Sequence, residues 1–124
     1  MGIGGNKQAV IQVRGVAQNK IGEHELDYVD ALTGLVGWLD LSGGDSKHLN
    51  YNAKIQESTH IFLCDYSELV YKVDGKPDIK ITPENSRMVV DGEAYEVMLY
   101  DDPMGMHGHL EIYLKYTGGK AVWQ

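Results

Sequence analysis

Few residues in this chain have the types and spacing that chemistry needs. His107-Gly108-His109 is the first group, with Asp101-Asp102 close by in sequence. Histidines two apart on a strand project to the same side, so His107 and His109 have a geometry open to metal chelation. No cysteine or further histidine supports them at a ligand spacing, and the plainer reading is a loop end followed by a strand start. Asp101-Asp102-Pro103 offers two carboxylates, but neighbours on an extended chain point to opposite sides and do not converge on one proton. Turn formation explains them better. Cys64 and His60 share a strand face, yet four residues of strand rise separate them by about 13 Å, too far for a nucleophile and its base. Ser42-Gly43-Gly44-Asp45-Ser46-Lys47 has a passing likeness to a phosphate loop but lacks its spacing. No catalytic residue, cofactor or metal site is expected.

The elements that would position these residues read as strands. Met88-Val89-Val90 leads into Asp91-Gly92, a strong signal for a two-residue hairpin whose central positions both need φ > 0. Ala94 to Tyr100 follows, then the Asp101–Gly105 loop. Leu110, Ile112, Leu114 and Tyr116 then alternate with Glu111, Tyr113 and Lys115, the period-2 pattern of a strand with one buried face. Thr59 to Tyr66 is a strand with Phe62 and Cys64 on one face and Ile61 and Leu63 on the other. Ala9 to Val16 is another strand. Leu26 to Leu41 divides into a short helical turn over Asp27–Leu32 and a strand over Gly34–Leu41, with Trp38 expected in the core. Leu49 to Ile55 alternates like a strand, although Ala53–Glu57 equally fits a helical turn. Asn19–Glu25, Ser42–Asn50 and Gly75-Lys76-Pro77 are loops or turns. Residues 1–8 and 117–124 are expected to be flexible or docked on neighbours, with Gly118-Gly119 ending the last strand. Tyr113 and Trp123 are candidate interface residues, since aromatic side chains are enriched there.

Short strands at even spacing predict a mainly β protein: one domain over 1–124, a small antiparallel β-barrel with long loops and at most one short helix. The 124 residues, 43% hydrophobic, suffice for one core. Fifteen glycines fit a turn-rich β fold. A formal charge of −7, from 18 acidic and 11 basic residues, argues against tight non-specific nucleic-acid binding. It is compatible with DNA passing nearby without sticking. The lone Cys64 fits a reducing compartment. No apolar run approaches the roughly 20 residues that span a bilayer, and the first residues lack a signal-peptide core. Synthesis in the cytoplasm is expected.

The order of features also resembles a known family. Trp38-Leu39-Asp40-Leu41-Ser42-Gly43-Gly44 comes first, then Ser58-Thr59-His60-Ile61-Phe62-Leu63-Cys64-Asp65-Tyr66. Ser86-Arg87-Met88, the Asp-Gly hairpin, Tyr95-Glu96-Val97, Asp101-Asp102-Pro103 and His109-Leu110-Glu111-Ile112 follow. Across about Leu32 to Tyr116 this resembles the head–tail joining proteins of tailed bacteriophages. More narrowly, it is similar to the head-closure, or stopper, minor capsid proteins of phages and prophages of Gram-positive bacteria. Where the family's strand ends in an Arg-Tyr-type pair, this chain has Cys64-Asp65-Tyr66. The resemblance implies a virion protein without catalytic residues that forms a homo-oligomeric ring on the portal–adaptor complex. Such a ring closes the DNA-filled head and offers the tail completion protein a docking surface. DNA passes through it without specific binding, no membrane is involved, and the loop at Ser42–Asn50 reaches toward the channel. A tail-completion protein, or a small metal- or ligand-binding barrel using His107 and His109, are the alternatives.

Overall fold

A computed structural model describes residues 4–14, 28–42 and 57–120, the last three by backbone only. Eight strands follow one another: β1 (Lys7–Arg14), β2 (Tyr28–Leu41), β3 (His60–Asp65), β4 (Val70–Tyr71), β5 (Ile79–Lys80), β6 (Ser86–Val90), β7 (Glu93–Asp101) and β8 (His109–Lys120). Single turns of 3-10 helix at Pro83–Asn85 and Pro103–Gly105 punctuate them. Six strands close into an antiparallel barrel in the order β1-β2-β3-β8-β7-β6, with β6 returning to β1. Closure pairs each of the six strands with two neighbours, although β3 reaches only Gly37–Leu41 of β2, and residues 28–36 pair with β1 alone among the described residues. The expected small antiparallel barrel is what the chain forms.

Alternation sorts the side chains. Ala9, Ile11 and Val13 from β1 meet Phe62 and Cys64 from β3, Met88 and Val90 from β6, and Leu110, Ile112 and Leu114 from β8, all buried. Gly37 on β2 faces Phe62. A Cβ there would lie 2.2 Å from the Leu63 carbonyl oxygen and 2.8 Å from the Phe62 ring, so only glycine lets the strands approach. Asp91 and Gly92, with φ of 53° and 79°, make the expected tight turn between β6 and β7.

Between β3 and β6 the chain makes the small β4-β5 sheet, which the sequence reading leaves as turn and loop. It carries Ile81 into the core, with Leu69, Tyr71, Ile79 and Tyr100 packed against it. This segment covers the barrel end where β3 finishes and β6 begins. Tyr100 shares a hydrogen bond with Ser86 Oγ at 2.8 Å, and burial raises its hydroxyl pKa well above the usual tyrosine range.

Three expectations are corrected. First, Asp27–Leu32 contributes no helical turn from Tyr28 onward, because β2 is one strand of 14 residues. Its register against β1 slips between Ala9 and Ile11 and again between Ile11 and Gln12. The added residues let Ala31, Leu32 and Leu35 all pack on the core, and their spacing imitates a helix. Second, Lys7 and Gln8 belong to β1, and β8 runs through Gly118-Gly119 to Lys120, which pairs with Glu93. Third, Trp38 stands on the outer face of β2 and not in the core. The Asn19–Glu25 loop, Gly43–Asn50, most of the Leu49–Glu57 segment and Trp123 lie outside the described residues.

Candidate protein interface

The outer face of β2, β3, β8 and the end of β7 brings the apolar residues together. Trp38 pairs with Leu63, and Leu63 with Glu111. Alongside, Asp40 pairs with Ile61, Ile61 with Tyr113, and Tyr113 with Leu99. Val36 lies two residues before Trp38 on the same side. Trp38 is 46% exposed and Val36 41%, whereas Ile61, Leu63, Leu99 and Tyr113 are half-buried. The result is a side-by-side apolar surface on a rigid sheet. Isolated exposed hydrophobes need no explanation, but contiguous ones centred on a tryptophan mark contact surfaces.

Carboxylates border this surface. Asp40 and Asp65 are exposed, and Asp101 stands opposite Glu111. Glu111 accepts the Tyr113 hydroxyl at 3.2 Å and is hydrogen-bonded to His109 Nε2 at 3.0 Å. Burial, then the Glu111 charge, pushes the Tyr113 hydroxyl up to about 12. Partial burial, followed by the nearby Glu111 and Asp102 charges, raises the Asp101 carboxyl above its ordinary value, while His109 opposes the shift. Lys115 is the positive side chain on the same outward face of β8. The opposite side of the barrel differs in character. Gln12, only 4% exposed, donates to Asp30 Oδ1 at 2.9 Å and accepts from Arg87 Nε at 2.7 Å. The Arg87 guanidinium lies 4.0 Å from the centre of the Tyr28 ring. Polar groups on that side are tied to one another.

Tyr113, an interface candidate from the sequence, belongs to the apolar surface. Trp38, Val36, Ile61, Leu63 and Leu99 escape the sequence reading as a group. A signal for Trp38 existed: Leu35, Gly37 and Leu39 alternate with Val36, Trp38 and Asp40, and an aspartate in phase with a tryptophan points both outward. The histidines are engaged separately. His107, at φ 58°, is hydrogen-bonded through Nδ1 to Asp102 and stacks on Tyr66 at 4.4 Å, while His109 bonds Glu111. Among the described residues no group of three or more His, Cys, Asp or Glu side chains is placed to hold a metal ion. Cys64 is buried, and burial raises its thiol to about 11, so it is protonated at neutral pH.

Of the candidate channel loop, Ser42 is described and Gly43, Gly44, Asp45, Ser46, Lys47 and His48 are not. Ser42 is buried, its Oγ shares a hydrogen bond with Ser58 Oγ at 2.8 Å, and its N–H donates to the Thr59 carbonyl at 3.1 Å. The two stems of the intervening segment are therefore clasped together. Beside them His60, Tyr95 and Tyr116 form an aromatic cluster, with ring centroids 5.3 to 6.2 Å apart.

Among the described residues no helix is long and apolar enough to cross a membrane. Comparison with known proteins leaves the barrel to be interpreted from its own surface, because no protein-family model, curated protein or solved structure matches the chain.

Proposed function

We propose that this protein is a structural subunit of a phage virion, a head–tail connector that forms a ring on the portal–adaptor complex, closes the filled head and receives the tail. The observation that carries this reading is the exposed apolar surface around Trp38 on a closed barrel. Over β3, which lies beside Trp38, and the facing part of β8 the ladder is paired on both sides, so contacts there are made by side-chain faces. The ordered sequence resemblance supplies the assembly. The net negative charge supports a lumen that does not grip DNA. Clasped stems at Ser42 and Ser58 support the assignment of Ser42–Asn50 as the channel loop.

Disrupting the gene tests the proposal. DNA-filled heads that fail to join tails are expected, and normal joining refutes it. Cross-linking in assembled particles then separates a head-closure position, which predicts contact with the portal adaptor, from a tail-completion position. Shortening Ser42–Asn50 is expected to give particles that assemble but leak DNA; full retention removes the channel role of the loop.

A further inference from the structure

At the barrel end covered by β4 and β5 lies a pocket of about 520 Å³. That volume falls in the range of about 300–1,000 Å³ typical of small-ligand sites. Its walls are apolar and aromatic, with Tyr66, Tyr100 and Leu110 among them. Glu68, Asp78 and Asp102 add three carboxylates and Lys80 an ammonium, while Lys72 Nζ lies 3.9 Å from Glu68 on the exposed side and His107 bonds Asp102. Two features hold the wall in shape. The His107 ring covers Tyr66 at 4.4 Å and 28° from parallel, and Asp102 accepts the His107 backbone N–H at 2.9 Å while bonding its ring. The Tyr100 hydroxyl is taken up by Ser86, so this residue offers mainly its ring.

These walls select by exclusion. An anion meets three carboxylates. A neutral apolar ligand would take their water away and return no hydrogen bond. A cation answers the charge, and a flat one also stacks on tyrosine and bonds carboxylates through several N–H groups. We infer that the pocket binds a guanidinium group on an aliphatic stem, the chemistry of an arginine side chain. The inference stands without the connector reading. It makes Lys80 the internal competitor of the ligand, so removing its charge tightens binding, and removing acidic charge weakens it. Glu68, Asp78 and Lys80 are all exposed, and their substitution leaves the core intact.

NMR titration of the full chain tests this, with the Leu110 and Val70 methyl groups as reporters. The probes are N-acetylarginine N-methylamide, agmatine, and the neutral isostere N-acetylcitrulline N-methylamide. Saturable shifts are expected with the guanidinium probes and at least about tenfold weaker binding of the citrulline probe, the scale of one charged hydrogen bond. Glu68→Gln combined with Asp78→Asn weakens arginine binding several-fold, and Lys80→Met strengthens it. Tighter binding of the blocked arginine assigns the site to a protein side chain; tighter binding of agmatine assigns it to a free amine. No saturable shift at tens of millimolar, equal binding of the citrulline probe, or variants that move affinity in the opposite directions overturns the inference.

Discussion

At the scale of single residues, burial decides what each reactive group can do. The Cys64 thiol sits inside the barrel, raised to about 11 by burial and then by Asp65. It is expected to resist a disulfide-exchange reagent in the folded protein at neutral pH and to react at once in denaturant; comparable rates in both would show that the barrel opens readily. Asp101 gives a pH signature. Its carboxyl pKa is raised on folding, by burial first and by Glu111 and Asp102 next. The folded state thus holds this proton more tightly than the unfolded chain. Its contribution to stability falls as pH rises from the ordinary aspartate range through the folded value, and levels off above that. Asp101→Asn should therefore raise the melting temperature at pH 7 and lose that advantage below about pH 4, where the unfolded carboxyl is also protonated. Equal effects at both pH values would assign the change to packing. That Cys64 and Phe62 share one face of β3 was legible from alternation alone, and the fold decides that this face is the inner one. The place of Trp38 was not legible, because hydrophobicity and phase gave opposite answers and phase prevailed.

At the scale of elements, regular alternation was readable and broken alternation was not. β3, β6 and the Leu110–Leu114 part of β8 follow a two-residue period, whereas β7 breaks it at Met98, buried directly after Val97 where the register against β8 shifts. β2 does not follow it either, because its two register slips against β1 add residues that shift the phase. Gly34 lies in the first of these irregularities at φ 72°, a conformation that favours glycine. The β4-β5 sheet has two residues in each strand, too short for any period to emerge. Its position follows from the carried-in Ile81 and not from its own pattern. The approach of β2 to β3 is testable through Gly37. Gly37→Ala pushes a methyl group into the Leu63 carbonyl and the Phe62 ring. A loss of about 3 kcal/mol in urea unfolding is expected, the upper part of the overpacking range. A loss below about 0.5 kcal/mol would mean that the strands part without strain.

At the scale of the whole molecule, the two sides of the barrel differ in purpose. One side binds its own polar groups in the Asp30–Gln12–Arg87 chain. The other presents Trp38, Val36 and Tyr113 inside a border of Asp40, Asp65, Asp101 and Glu111. A partner that fits it has an apolar centre and basic surroundings. Trp38→Ser should leave the monomer folded, since the side chain is outside the core, and on the connector proposal it should lower incorporation into particles by tenfold or more, the effect of a central interface aromatic. Normal incorporation would place the contact elsewhere. Binding to the isolated partner should also weaken as salt rises, through slower association. The sequence could suggest a barrel and an assembly, but not which face was free. That depends on which strands become neighbours when the barrel closes, and pairing of β3 with β8 joins residues almost fifty positions apart.

The Ser42–Ser58 clasp has a practical side. Chain leaving the barrel at Ser42 is back beside it at Ser58 and Thr59, held by a shared hydroxyl bond of 2.8 Å and a backbone bond of 3.1 Å, so the barrel itself fixes both ends of the stretch between. Those ends are therefore fixed points, and a pair of labels on the exposed Leu41 and Glu57 would read directly whether they stay together in solution.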